Sequence, residues 1–306
     1  MDFTLTALNV IIMLAYAVPG FIFVKTKLID QSHIASFSKV LLYVCQPCLS
    51  MYSFNQVDCT PGLLKNMALF FVLAFVLESL ALTLLWLVFR RRYSNPVYRV
   101  CTVAGVLGNV GFFGVPLLEA LLPEHPESIA YSAVFIVAMN IISWTVGSLI
   151  LTGDRKYLSI RKLFLNPPTI ALCISLPLFI LGIKFPDIID TGVTLLGRMS
   201  TPLCMLILGM RLATVRIQDL VKDKGAYMAS AVKLIVFPLV AYAAVYFLPF
   251  DYGFKATMFI LASCPTASVV LNLSELYGRG QKTAADTVLI CTMLCAVTIP
   301  LLLLIL

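Results

Sequence analysis

The sequence predicts an all-α polytopic membrane protein: ten transmembrane helices arranged as two inverted five-helix repeats, with spans four and nine broken. Three observations predict it. First, 60% of the 306 residues are hydrophobic and only 12% are charged, with a mean hydropathy of +0.98. Soluble domains run at about half apolar and a quarter charged, so this chain has too little polar surface to coat a water-soluble globule. Second, basic and acidic loops alternate along the chain. Third, its two halves carry corresponding residues at a constant offset of 155. The whole of 1–306 reads as one membrane domain, with a first repeat in 1–151 and a second in 169–306.

A helix needs about 20 apolar residues to cross the hydrocarbon layer. Spans fall near 6–24, 35–54, 67–89, 101–122, 128–151, 169–184, 190–212, 226–248, 255–277 and 284–306. The first lacks a basic leader and a small-residue cleavage site, so it reads as a retained helix. The sixth is short and marked by Pro177 and Gly182.

One set of loops carries Lys25 and Lys27, then Arg90, Arg91, Arg92 and Arg99, then Arg155, Lys156, Arg161 and Lys162, then Arg211, Arg216, Lys222 and Lys224, then Arg279 and Lys282. The alternate loops hold only Lys65, Lys184 and Lys255, together with Asp58, Glu119, Glu124, Glu127, Asp187, Asp190 and Asp251. The positive-inside rule places the basic set in the cytoplasm and both termini outside. The expected location is the plasma membrane, which is the inner membrane if the source is bacterial. The net charge of +7 is therefore topological and does not mark a nucleic-acid surface. The nine cysteines lie mainly in apolar stretches. Cys45-Gln46-Pro47-Cys48 matches C-x-x-C formally, but a redox pair needs a polar, accessible thiol. Here it sits inside a span and reads as helix packing, as do Cys291 and Cys295.

At the offset of 155, Pro47 maps onto Pro202, Glu78 onto Lys233 and Val110 onto Pro265. Five spans per repeat force the second copy to be inverted. Inverted repeats with broken helices at matching positions are a signature of secondary transporters.

Span four contains Gly105, Gly108, Asn109, Gly111, Gly114 and Pro116. Glycine costs about 1 kcal/mol in a helix interior and proline about 3. Two readings are open: close packing through small residues, or unwinding near Gly108–Gly111, with the freed backbone groups facing protein or a water-filled cavity. In the second, Asn109 caps the following half-helix and faces a ligand. Span nine holds Ser263-Cys264-Pro265-Thr266-Ala267-Ser268, then Asn272. Pro265 removes a helical hydrogen bond, which Ser263, Thr266 and Ser268 can compensate; the alternative is a simple kink. Span four runs from Arg99 to Pro123, and span nine runs the other way, from Asp251 to Arg279. If they cross, two half-helix N-termini meet near the midplane, where partial positive charge favours a carboxylate. Glu78 and Lys233 are the clearest charges within spans. They read either as a structural ion pair, with Lys233 free to snorkel, or as a coupling site with a proton on Glu78.

Gly108-Asn109-Val110-Gly111-Phe112-Phe113-Gly114-Val115-Pro116-Leu117-Leu118 resembles the fourth-helix motif of the auxin efflux carrier family. Cys264-Pro265-Thr266 through Glu275-Leu276-Tyr277, and Thr298-Ile299-Pro300, are similar to its ninth and tenth helices. Gln46-Pro47-Cys48-Leu49-Ser50 is similar to the second, and Asn140 with Trp144 fits the fifth. The resemblance implies a ten-helix inverted-repeat fold like that of the bile-acid symporters, in which helices four and nine cross at the substrate site. It implies a scaffold of spans 1, 2, 6 and 7 and a moving unit of spans 3–5 and 8–10. It carries over Asn109 and Pro265 as site residues, flanked by Gly108, Gly111, Ser263, Thr266, Ser268, Asn140, Gln46 and Ser50. Plant members place proline where this chain has Gly108. They also begin the third helix with Asp-x-x-x-Lys, against Pro61-Gly62-Leu63-Leu64-Lys65 here. Their long cytoplasmic loop is absent too, which suits a prokaryotic permease for compounds such as malate or malonate.

The function expected is a permease moving a small organic anion or weak carboxylic acid by alternating access. The partners expected are that anion, membrane lipid, a coupling proton or sodium ion, and a second copy of the chain as a homodimer. A cation/proton antiporter of the same fold would want carboxylates at the break, where the sequence offers Asn109 and Asn272. A transporter-like receptor would want an appended soluble domain. An enzyme would want a Ser/His/Asp or metal constellation, whereas His33 and His125 are isolated in loops. No cofactor, metal or catalytic residue is expected.

Overall fold

Helix boundaries fall where local chemistry sets them. Thr60 accepts a hydrogen bond from the Leu63 N–H at 3.1 Å, with Pro61 at the first helical position, and so starts α5 (Pro61–Phe89). Asn95 does the same for α6 (Pro96–Ala104) through the Val97 N–H at 3.0 Å. These caps satisfy N–H groups that the first turn leaves without partners. Asp223 accepts from the Ala226 N–H at the head of α14 (Lys224–Ala231). Gly278, with φ +66°, ends α17 (Ser268–Tyr277) in the left-handed conformation that glycine adopts without steric cost.

The computed structural model describes residues 3–154 and 167–306. The basic run Arg155, Lys156, Arg161 and Lys162 and the Met1 terminus lie outside the described residues. The remaining helices are α1 (Phe3–Ala15), α2 (Ala17–Lys25), α3 (Ile34–Val40), α4 (Gln46–Asn55), α7 (Val115–Leu121), α8 (Glu127–Ile142), α9 (Ser148–Thr152), α10 (Pro167–Ile180), α11 (Asp187–Arg198), α12 (Ser200–Thr214), α13 (Ile217–Lys222), α15 (Phe237–Tyr246), α16 (Tyr252–Ser263) and α18 (Gln281–Leu302). No strand occurs among the described residues. Among the described residues, seven helical segments are long and apolar enough to cross a membrane: Phe3–Lys25, Gln31–Asn55, Pro61–Arg92, Glu127–Thr152, Asp187–Thr214, Lys224–Tyr246 and Gln281–Ile305. Val110–Leu121 and Thr169–Ile180 are shorter apolar helices. The expected spans 101–122 and 255–277 are each split in two, so neither is a continuous helix.

Wide π turns at Leu41–Cys45, Val110–Gly114 and Val232–Val236 are each followed two residues later by a proline: Pro47, Pro116 and Pro238. A proline has no N–H to offer the carbonyl four residues back. At Pro116 the orphaned carbonyl belongs to Phe112, and the Thr201 hydroxyl donates to it at 2.6 Å. A fourth π turn, Ser143–Gly147, links α8 to α9.

Packing is closest between α2 and α12. A Cβ added at Gly209 would lie 1.8 Å from the Ala17 carbonyl oxygen, and one at Gly20 would lie 2.0 Å from that of Leu206. Only glycines permit such an approach of two helix backbones. Elsewhere α10 and α11 lie against α4, α5 against α8, and α14 and α1 against α18. Phe70, Tyr131 and Phe254 join α5, α8 and α16 in one buried aromatic cluster, with centroids 4.8–5.4 Å apart. Each such pair adds about 0.5–1.5 kcal/mol beyond burial. Large apolar side chains such as Ile12, Val72, Val88 and Phe247 face outward, as a lipid-facing surface requires.

Candidate functional site

Unwinding in the fourth segment covers Gly105–Asn109, one turn earlier than the expected Gly108–Gly111, because the π turn already resumes at Val110. In the ninth segment it covers Cys264–Ala267. The two stretches meet and pair antiparallel. The Asn109 N–H donates to the Pro265 carbonyl at 2.7 Å, and the Ala267 N–H donates to the Leu107 carbonyl at 2.9 Å. Gly108 and Thr266 form the bridge between them. Each break thus supplies hydrogen-bond partners for the other, which is how irregular backbone survives inside an apolar bundle. The Thr266 hydroxyl donates to the Ala104 carbonyl at 3.0 Å, and its N–H donates to Cys291 Sγ at 3.2 Å.

Lys233 backs this crossing. Its Nζ donates to the Ala262 carbonyl at 2.6 Å and lies 4.6 Å from the Phe237 ring centroid. A Cβ on Gly108 would lie 3.0 Å from that Nζ, so glycine here makes room for the ammonium. The expected ion pair with Glu78 is not formed. Glu78 is fully buried and neither carboxylate oxygen has a hydrogen-bond partner; the ammonium is taken by the carbonyl end of α16 instead.

A cavity of about 560 Å³ opens on the other side of the crossing. Of the sequence-derived candidates, Gln46, Gly108, Asn109, Gly111, Asn140 and Ser268 line it, with Asn272 and Trp144. Pro265, Thr266, Ser263 and Ser50 do not. The first two are engaged in the crossing, the Ser263 hydroxyl donates to the Phe259 carbonyl, and that of Ser50 donates to the Gln46 carbonyl. Asn109 makes no side-chain cap; its Nδ2 points to Cys204 Sγ, 3.9 Å away. The Asn109 carbonyl, not its amide, anchors the next turn by accepting from Phe113 and Gly114.

The cavity runs from the crossing toward the basic end of the bundle, where Ser38, Arg211 and Leu276 line it. Among the described residues, Arg211 is its one charged lining residue, and no carboxylate lines it. Arg211 Nη1 donates to Glu275 Oε1 at 2.8 Å. Loop charge counting misses this residue as a site candidate. The available signal was the spacing Cys204, Ile207, Leu208 and Arg211, which is one face of a helix.

At the acidic end, side chains from α4, α7 and α11 join. The Tyr52 hydroxyl donates to Glu119 Oε1. Arg198 donates to the Tyr52 oxygen at 2.9 Å and its guanidinium sits 5.2 Å from that ring's centroid. Nearby, the hydrogen bond and charge of Lys184, 2.7 Å away, hold the exposed Asp58 carboxyl below its ordinary pKa. Also at this end, His125, Glu127 and Asp251 have ligand atoms within 4.8 Å of one another, so His125 is not isolated as its loop position suggests. Glu127 begins α8 and Asp251 precedes α16, where acids suit helix dipoles, so the cluster has a structural account.

The profile of a family described as membrane transport protein matches residues 5–161 and 155–303. A protein of Rhizobium meliloti (strain 1021), described as "Putative malonate transporter", is 24% identical over 206 residues. The aligned region is 64% of this chain and 63% of that relative, so the chain matches just under two thirds of the relative's length.

Proposed function

Because the chain belongs to the membrane transport protein family, the auxin efflux carrier family that its motifs resemble, we propose that it is a secondary transporter moving a small organic anion or weak carboxylic acid by alternating access. The observation that carries this reading is the cavity: it ends on two paired helix breaks, its walls are largely apolar, and among the described residues its polar lining is neutral apart from one arginine, with no carboxylate. The half-helices that leave the crossing start at Val110 and Ser268; the Val110 N–H donates to the Gly108 carbonyl at 2.8 Å, and first-turn N–H groups such as those of Gly111 and Ser268 have no partner within the helix. Such groups favour a negative charge. A cation/proton antiporter would instead line this point with carboxylates. The relative described as a malonate transporter supports a carboxylate cargo.

The proposal includes ten crossings in two inverted repeats, 1–151 and 169–306, with spans 1, 2, 6 and 7 as scaffold and spans 3–5 and 8–10 as the moving unit. It places the basic end in the cytoplasm and both termini outside, in the plasma membrane, so the cavity described here faces inward. Uptake or efflux of labelled mono- and dicarboxylates in proteoliposomes tests the function. Movement of none of them by well-folded protein, alongside transport of a cation, would sink it. For coupling, we assign the proton to Glu78, a buried carboxyl neither of whose oxygens has a hydrogen-bond partner. Glu78→Gln should fold normally and flatten the pH dependence of transport; an unchanged pH profile places coupling elsewhere.

A further inference from the structure

Glu275 lies on α17, which leaves the crossing, and Arg211 lies on α12, which meets the crossing through the Cys204–Asn109 contact. Cys204, whose Sγ meets the Asn109 amide, and Arg211 are seven residues apart in α12. Seven residues are two turns, about 10 Å along the axis with the side chains on nearly the same face. Ser268 and Glu275 have the same spacing in α17, counted from the start of the half-helix. The ion pair therefore lies two turns below the crossing, with Arg211 lining the cavity and Glu275 outside its lining, and Ile207, Leu208 and Leu271 line the interval. Long side chains on helices lean toward the N-terminus, which points the Arg211 guanidinium back toward the crossing. Its side chain is 21% exposed, whereas that of Glu275 is 44% exposed. The arginine is committed to the cavity, and the glutamate is free to leave for water.

We propose that Arg211 selects dicarboxylates: one carboxylate lies at the crossing beside Asn109 and the second replaces Glu275 on the Arg211 guanidinium. This rests on the reading of the cavity as an anion site. The guanidinium offers a planar fork matched to a carboxylate, and apolar walls between the two polar ends suit a short methylene chain. A monocarboxylate leaves the Arg211–Glu275 pair in place. A short dicarboxylate exchanges it and unfastens α17 from α12, so recognition and release of the inner contact become one event. An arginine in the last turn of α12 also suits the helix dipole, but that role alone gives no preference between one and two carboxylates.

The test is binding of malonate, succinate and monomethyl malonate to purified protein, read as ligand-induced thermal protection. Wild type should bind the diacids at least tenfold more tightly than the half-ester. Arg211→Gln should bring diacids to the half-ester's level and weaken the half-ester far less than the diacids. Glu275→Gln should tighten diacid binding, since a competitor for the guanidinium is removed. Equal loss of diacid and half-ester in folded Arg211→Gln, or wild type that does not distinguish them, overturns the proposal while leaving the anion carrier intact. If Arg211→Gln does not fold, absence of tighter diacid binding in Glu275→Gln overturns it. Wild type that binds none of the three ligands overturns this inference together with the reading beneath it.

Discussion

Asn109 is legible in the sequence as a polar residue among helix breakers, but its job is not. The spacing suggests a cap, and the structure gives the capping role to its backbone while the amide faces the cavity beside Cys204. Capping is a local property, whereas the Cys204 contact joins residues far apart in the chain. The same limit hides Lys233, which is visible as a buried charge but whose partner, the Ala262 carbonyl, exists only once α16 ends against it. Gly108 is explained by that ammonium; a proline here, as in plant members, would bring a Cβ to within about 3.0 Å of it. The amide's direction sets a prediction. Asn109→Ala removes one donor to a charged ligand, worth about 1.5–3 kcal/mol, so substrate affinity should fall roughly tenfold to a hundredfold with protein level unchanged. Asn109→Asp places a negative charge against the bound carboxylate and should abolish measurable binding. Undiminished anion affinity in a folded Asn109→Asp protein would remove the crossing from the anion site.

Elements are where the sequence reads best, because hydropathy, proline and glycine act locally. The long spans follow the apolar runs, and both breaks fall at the expected Gly- and Pro-rich stretches. What it cannot supply is which elements touch. Gly20 and Gly209 lie in different spans, and only the structure shows two backbones pressed together there. Gly209→Leu should therefore separate α2 from α12 and lower the melting temperature by several degrees or prevent folding, whereas Gly192→Leu, with open space around it, should be tolerated; equal stability of the two variants would contradict the packing. The contacts at the acidic end have a different character. Arg198 is 61% exposed, and ion pairs in such settings contribute about 0–1 kcal/mol. A contact that weak can hold one state and still open in each cycle. In protein whose Cys48, Cys59 and Cys173 are replaced by serine, the cavity-lining Cys204 should react with an impermeant thiol reagent from the Arg211 side only. Arg198→Gln should add reaction from the opposite side. Labelling from one side alone in both proteins would show that Tyr52, Glu119 and Arg198 do not form a gate.

At the scale of the molecule, the charge alternation separates a basic end from an acidic one, and the structure places the cavity toward the first and the Tyr52–Glu119–Arg198 contacts at the second. The division into scaffold and moving unit is the part least accessible to local patterns, since it depends on which interfaces slide. The packing suggests where to look. Phe54 and Phe179 pack with tilted rings, centroids 5.4 Å apart, between α4 and α10, both in the proposed scaffold. Tyr52 lies two residues away on the same helix, but it joins Glu119 of α7, in the proposed moving unit. Two cross-links from one helix thus probe the two kinds of interface. A short, reducible bifunctional thiol reagent bridging Tyr52→Cys to Glu119→Cys should hold the acidic end shut. Transport should then stop, while substrate binding from the basic end persists, and reductant should restore transport. The same reagent bridging Phe54→Cys to Phe179→Cys ties two parts that are not expected to move relative to each other, so most transport should survive. Both proteins need their other reactive thiols replaced, with the unlinked variants as the reference. If the Phe54–Phe179 bridge arrests transport as fully as the Tyr52–Glu119 bridge, span six moves against span two and the scaffold is wrongly drawn. If neither bridge arrests it, the acidic end does not open during transport, and substrate crosses by a route other than alternating access about the crossing.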